Sequence, residues 1–595
     1  MNSQNYNMLV NRTYCSNAIR SVMLIDDDFL TYSDSIDKLL NGMNLDERKV
    51  DGSKRAAQLE RFFQEKKILC DIDDGSVNFD VERIKKSDLI IIDYHLENNS
   101  PLRTLETLDK LRESAQFNLI IVYTNEDLTR VWKEICATFI GTVPANSIIE
   151  TIDSFEVTEF WDNTLKLNID NGGVFCLSEL EILEYLKTSR PIRRIAGELF
   201  RNTEFKTNEI LKQHSKCLIW AIIQENISKY NLLNKIHDAE KDICIMGDCG
   251  ESKWIKSGNV FISLFNKTAN LDDDEAAAIW DNLSKSLYEW KPSYYNILKS
   301  EIQNKIEAEA LSFEVHLDND IYGQAAWLNE VLKNSDLESR KDKIDFIFKN
   351  IAEELYFKLR KNENLNEFIC EVFTHFENDF NESKKQDNVD IQRLKFCAES
   401  MGLEYNQDCN NDMYHALNMN TSSRNYREKY LSTGTVLFDE ENHDWYLCVS
   451  AACDMVPSQG NDAYHKRLKP HRLIQVLKLF NTDAKNAISH ATHSKYIYIF
   501  EKTATPPRKY FSVTNPITGL PQLDYMVVLN HSTEKDKRNI KAMVLGSKEE
   551  EVIPTLISLK LKSQLRTGYA ERYQLMASQY GSRIGVDYFG IEIPD

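Results

Sequence analysis

The 595 residues include 72 Lys and Arg against 92 Asp and Glu, a formal net charge of −20, which argues against a general nucleic-acid surface because phosphate backbones require concentrated cations. The length exceeds a single core and predicts about three or four domains. Twelve irregularly spaced cysteines do not form a secreted disulfide framework, Met1 to Arg20 lacks a signal-like apolar core, and no run approaches the roughly 18 apolar residues of a membrane span, so a soluble, cytoplasmic protein is expected.

After Met1 to Arg20, read as an irregular lead-in, Ser21 to Asp28 is an apolar run that stops on Asp26, Asp27 and Asp28. It predicts a first buried strand ending in acid. Ser33 to Leu45 has the spacing of a helix, with a further charged helical stretch around Arg55 to Lys67; Lys67 to Asp71 is expected as a second strand and Phe79 to Lys86 as the next helix. Leu89 to Ile92 carries a third strand into Asp93, Leu102 to Arg112 is helical by its leucine spacing, and Asn118 to Tyr123 is a further strand followed at once by Thr124. Thr129 to Ile140 reads as a helix. Gly141 to Gly172, with Pro144 and the turn Asp170-Asn171-Gly172, reads as an insertion before a fifth strand at Gly173 to Leu177, capped by Ser178 and closed by a helix from Glu179 to Leu183.

In an open α/β sheet, ligands bind at the carboxyl ends of the strands, so these strand ends would bring Asp26, Asp27 and Asp93 into one crevice. Carboxylates so crowded repel unless a cation neutralises them, and an all-oxygen set suits Mg²⁺. Asp93 could then attack a phosphoryl donor, with Thr124 bonding the product. The bland alternative is that acids end strands as turn formers and helix caps. The runs Leu24-Ile25-Asp26-Asp27-Asp28, Ile92-Asp93-Tyr94-His95-Leu96 and Ile121-Val122-Tyr123-Thr124 resemble the receiver domain of two-component signalling. The resemblance implies a doubly wound, flavodoxin-like parallel sheet, Mg²⁺ held by Asp26, Asp27, Asp93 and the backbone carbonyl of His95, phosphoacceptance by Asp93 and a phosphoryl contact from Thr124. It also implies a sensor histidine kinase as partner. The family carries a lysine at the end of its fifth strand, usually followed by proline, and none follows Gly173 to Leu177.

From about Pro191 the pattern turns to long amphipathic helices, including Ile210 to Ile236, interrupted at Asp242 to Lys267 by two short strands about a Gly-Asn turn within Trp254 to Phe265. Asp272 to Phe380 is helical by period, with Trp280, Leu283, Leu287, Trp290, Ile344, Phe346, Ile351, Leu355 and Phe357 as packing candidates. Beyond Gly434, Thr435 to Phe438, Trp445 to Ser450, Lys495 to Phe500, Tyr510 to Val513 and Tyr525 to Leu529 are strand-like, and Ile553 to Ile584 is read as helical with Arg566, Arg572 and Arg583. The expected organisation is α/β overall: a receiver-like domain at 1–190, a helix-rich middle region at 191–420 with a hairpin near 254–265, and an α+β C-terminal domain at 421–595. The spacing of Cys448 and Cys453 is loose for zinc, and buried thiols are the ordinary account of it. No glycine-rich phosphate loop or hydrolase motif occurs, so a non-enzymatic phosphoacceptor is expected.

The phrase Tyr446 to Pro457 and the ending Tyr569 to Val586 resemble the C-terminal portion of large bacterial proteins that begin with a divergent response receiver domain, some of them encoded with a histidine kinase in Detocs-type anti-phage defence systems. That resemblance implies either an output regulator or a phosphate sink that drains the kinase to protect against firing a separate effector. Two other classes stand beside it: an interaction scaffold whose degenerate receiver docks a partner without phosphoryl transfer, and a receiver-switched effector with a C-terminal activity.

Overall fold

The computed structural model describes residues 2–41, 47–76, 81–96, 100–190, 192–238, 245–268, 274–309, 320–333, 337–383, 388–428, 430–456, 463–500, 508–531, 538–548 and 551–581. They belong to two compact units, one made of residues 1–321 and 347–381, the other of 322–346 and 382–595. Among the described residues no helix is long and apolar enough to cross a membrane.

The first unit is built on a sheet of seven strands: β1 (Ser21–Ile25), β2 (Leu69–Asp73), β3 (Leu89–Asp93), β4 (Asn118–Thr124), β5 (Ile245–Cys249), β6 (Lys253–Ser257) and β7 (Val260–Asn266). The order is β2-β1-β3-β4-β7-β6-β5. β2, β1, β3, β4 and β7 pair in parallel, and β6 and β5 extend the sheet antiparallel beyond β7. Strand residues alternate between two faces. Met23, Ile25, Ile90, Ile92, Ile120, Val122 and Ile262 pack with the helices Leu102–Arg112 and Leu128–Ile140. Val22, Leu24, Leu89, Ile91, Leu119, Ile121 and Phe261 pack with Glu47–Glu65 and Glu275–Trp290. With both faces covered, the strands read as continuous aliphatic runs.

Four expectations are corrected in this unit. Met1 to Arg20 is not irregular: Asn2–Asn11 is an α-helix running into a π-helical turn at Arg12–Ser16, and Val10, Tyr14 and Cys15 are buried. The second strand lies two residues further on, at Leu69–Asp73. Gly173 to Leu177 is a turn, not the fifth strand; the Ser178 capping box and the helix Glu179–Thr188 are present, but inside a helical insertion. The fifth parallel strand is β7, so the hairpin expected in a helix-rich middle region lies in this sheet. The reason is packing: Val260, Phe261, Ile262 and Leu264 are all buried, a two-sided burial that a solvated hairpin cannot supply.

Among the packing candidates further on, Leu283, Leu287 and Trp290 are buried, whereas Phe357 is 41 % exposed; Phe346 lies outside the side chains described.

In the second unit, β8 (Ser423–Asn425), β9 (Thr435–Asp439), β10 (Trp445–Cys448), β11 (Arg472–Asn481), β12 (Tyr496–Phe500), β13 (Arg508–Ser512), β14 (Leu523–Val528), β15 (Asn539–Lys548) and β16 (Glu551–Leu565) form one antiparallel sheet. Strands β10, β9, β16, β15, β14 and β11 pair in that order, and β10 pairs with β11 to close a barrel. This is more than the α+β region expected. Closure leaves each of these six strands paired on both sides, so none of them is an open edge that would template aggregation. Leu437, Cys448, Ile474, Val476, Met526, Val528, Ala542 and Leu559 fill its interior. The helix Thr567–Gly581 and the β12–β13 hairpin pack on the outside of β9, β10 and β11 through Val436, Leu447, Ile499, Phe511, Ala570 and Tyr573. The reading of Ile553 to Leu565 as helix is wrong: it lies in the 15-residue strand β16, whose Ile557, Leu559 and Leu561 face the core at a period of two. Ile584 and Arg583 lie outside the described residues. Cys448 is buried in the barrel and Cys453 is exposed, and neither belongs to a metal-compatible cluster among the described residues.

Candidate phosphoryl and metal site

β1, β3, β4 and β7 end on one edge of the first sheet, and each delivers a polar side chain there. Past β1, Asp26 is 2 % exposed. Its amide donates to the Asp73 carbonyl at 3.2 Å, and its Oδ1 accepts the Asp28 amide at 2.9 Å. The last residue of β3 is Asp93, buried at 8 %. Its carbonyl accepts the Thr104 hydroxyl at 2.9 Å. Asp26, Asp27 and Asp93 offer carboxylate oxygens within 4.8 Å of one another.

Lys267 follows β7 and is not among the site residues expected from the sequence. Its Nζ lies 2.7 Å from Asp26 Oδ2 and 3.2 Å from Asp93 Oδ1, and its side chain is 6 % exposed. Its backbone amide donates to the Thr124 carbonyl at 2.8 Å, and the Asn266 amide side chain donates to the same carbonyl at 3.1 Å. The lysine is therefore present, and the expected lack of one is corrected. The signal was available: Val260 to Phe265 is an aliphatic and aromatic run followed by Asn266-Lys267, as the other three runs are followed by acid or hydroxyl. A long insertion between β4 and β7 hid it, because connections in α/β units are ordinarily a few residues long.

Thr124 is 1 % exposed, and its hydroxyl accepts the Glu126 amide at 3.2 Å. His95 follows Asp93 by two residues; its ring packs edge-on against Tyr94 and its Nε2 lies 3.5 Å from Glu126. Tyr94 donates its hydroxyl to the buried Glu134 at 2.5 Å, which ties the loop after β3 to the helix Leu128–Ile140.

Electrostatics at this edge are governed by burial. Burial, opposed by Lys267 and reinforced by Asp26 and Asp27, pushes the Asp93 carboxyl up to about 7. Burial and then the charges of Asp26 and Asp28 raise Asp27 as well. For Lys267, burial alone would favour the neutral amine, but Asp26 and Asp93 outweigh it and hold the ammonium above its ordinary range. Two ammonium groups, Lys267 and Lys49, offset three carboxylates. The donor set is all oxygen, close enough to share one ion and short of positive charge, which fits a hard divalent cation such as Mg²⁺.

The helix Glu47–Glu65 braces the loop after β1. Lys49 Nζ donates to the carbonyls of Asp27 and Phe29. Gly52 sits so close that a Cβ there would lie 2.3 Å from the Asp28 carbonyl oxygen. The charged stretch that lengthens the connection between the two acidic strands thus shapes the site.

No curated protein and no solved structure matches the chain. Residues 18–169, which contain β1 to β4 and the three aspartates but not β7 and Lys267, match the model of the response receiver domain family.

Proposed function

We propose that the chain is a phospho-accepting receiver in a two-component pathway, taking a phosphoryl group from a histidine kinase onto Asp93. The observation that carries this reading is the convergence of Asp93, the Asp26–Asp27 pair and Lys267 on one buried sheet edge.

An Asp93 carboxylate oxygen attacks the phosphorus of the kinase phosphohistidine. The new P–O bond makes an acyl phosphate, the P–N bond breaks, and its electron pair returns to the imidazole. Lys267 is poised to pair with the transferred oxygens once they displace it from Asp93 and Asp26, and the Thr124 hydroxyl to bond one of them in the product. Asp26, Asp27, Asp93 and the His95 carbonyl would hold Mg²⁺. When bound, that ion offsets negative charge on the transferred group.

A degenerate scaffold would lack the lysine that pairs with the transferred group, and Lys267 stands at the site against that alternative. For the pathway, we favour the anti-phage setting suggested by the resemblance to Detocs-type systems, with the protein draining a kinase that also addresses a separate effector. The test is labelling of the full chain by acetyl phosphate with Mg²⁺. Wild-type protein should be labelled, Asp93→Asn should not, and Asp27→Asn should weaken Mg²⁺ binding without loss of fold; labelling that persists in Asp93→Asn contradicts the assignment.

A further inference from the structure

Lys267 has a long, flexible stem whose rotamer freedom must be suppressed if its ammonium is to meet a phosphoryl group reproducibly. In receivers the residue after this lysine is usually proline; here it is Thr268, whose φ no ring fixes. The structure holds it by other means. The Thr268 amide and hydroxyl donate to Glu275 Oε1 at 2.8 and 2.9 Å. The other carboxylate oxygen of Glu275 takes Arg55 Nε at 3.0 Å, and Arg55 Nη2 donates to the Thr268 carbonyl at 2.8 Å. Both polar groups of the Thr268 backbone are thereby satisfied by one ion pair whose side chains are 18 % and 4 % exposed. Arg55 and Lys267 also lie over the same Tyr123 ring, at 5.8 and 5.3 Å from its centroid.

We infer that Arg55 and Glu275 are positioning residues for Lys267, a statement that rests on the phosphoryl reading of the site. A buried ion pair contributes little net stability compared with apolar packing, because desolvation offsets its Coulomb energy; what it supplies is fixed geometry, and an arginine fork supplies it best. Lys49, Gly52 and Arg55 recur at three-residue spacing on the helix Glu47–Glu65, so one helical stripe braces the acid loop at one end and the lysine at the other. Glu275 opens the helix Glu275–Trp290. A shift of Lys267 toward a phosphoryl group would pull on Thr268 and so on both helices, which gives the site a mechanical outlet.

The test uses the full chain. Arg55→Met should slow acetyl phosphate labelling about tenfold, as expected of a displaced contact group, while Mg²⁺ affinity stays within about twofold because the carboxylates are untouched. Arg55→Lys, which keeps the charge and loses the fork, should also be slow, and it carries the test if Arg55→Met does not fold. In a Lys267→Met background, Arg55→Met should add no further loss; losses that multiply overturn the inference. Acylation of Lys267 by acetic anhydride, read by peptide mass spectrometry, probes the anchor without phosphoryl chemistry. It should be about fivefold faster in Arg55→Met than in wild type, since local opening limits access to a buried amine. Equal acylation rates overturn the inference. Unlabelled wild-type protein whose Lys267 acylation still responds to Arg55→Met refutes the phosphoryl reading and leaves the anchor standing.

Discussion

Lys267 Nζ and Asp26 Oδ2 lie 2.7 Å apart although 241 residues separate them in the chain. The pair closes the site across the sheet, from the end of β1 to the end of β7, and ties the helical insertion between β4 and β7 to a single chemical constraint: whatever it adds, it must return the chain to the strand that carries the lysine.

Lys267→Met should therefore have two opposite effects. Loss of the competing ammonium should tighten Mg²⁺ binding several-fold by about 1 kcal/mol of relieved competition, while labelling of Asp93 slows. Without Mg²⁺, the variant should lose about 3–5 kcal/mol of stability at neutral pH, because Asp26 and Asp93 remain buried without their counter-ion. Calorimetric titration and thermal unfolding check the two directions.

Stability without divalent cations should fall as pH rises. The folded Asp93 titrates at about 7, above the roughly 3.9 of an unfolded aspartate, so its contribution is fully present below about pH 4 and is lost as pH rises through 7. Asp93→Asn should flatten this slope, and Mg²⁺ should restore stability most at high pH. Denaturant melts at pH 5 and 8 decide it; a stability that rises across this interval through Asp93 would contradict the burial described.

Gly52→Ala should damage the acid loop from outside it. A Cβ at this position would meet the Asp28 carbonyl oxygen at 2.3 Å, so either the helix Glu47–Glu65 or the loop must move, at a cost of about 1–3 kcal/mol. The expected readouts are a lower melting temperature and weaker Mg²⁺ binding, while Gly172→Ala, where nothing lies within 4 Å but φ is +66°, should leave Mg²⁺ affinity unchanged.

Much of the sheet was legible in the sequence because two-sided burial imposes continuous aliphatic runs, and β1, β3 and β4 are such runs with chemistry at their ends. β7 has the same signature, and its hairpin with β6 was legible; its place in the sheet was not, because local pattern does not say which strand pairs with β4 across a long insertion. The three aspartates were legible as a group and Lys267 was not, for the same reason. In the second unit the helical reading of β16 fails because its outward positions, Ser558, Lys560 and Lys562, break the aliphatic run that would mark a strand. β11 was passed over, although Leu473-Ile474-Gln475-Val476-Leu477 joins β10 to β14 and closes the barrel.

The second unit should lose stability in acid through His415. Its side chain is fully buried, with its ring edge-on to Tyr510 at 4.6 Å, and burial lowers its affinity for a proton. An unfolded histidine titrates near 6.5, so the contribution is present above that pH and is lost as pH falls below it toward the lower folded value. His415→Phe should remove this part of the acid sensitivity; unfolding monitored between pH 7.5 and 5 in wild type and variant measures it.

The central claim is tested most directly by locating the phosphoryl group. Full-length protein is incubated with an active partner kinase, ATP and Mg²⁺, treated with hydroxylamine to convert any acyl phosphate to a hydroxamate, and mapped by peptide mass spectrometry. The account predicts a metal-dependent hydroxamate at Asp93 that disappears in Asp93→Asn and when Mg²⁺ is chelated. A label on another residue, or wild-type protein that stays unmodified beside a kinase shown to phosphorylate itself, would contradict it.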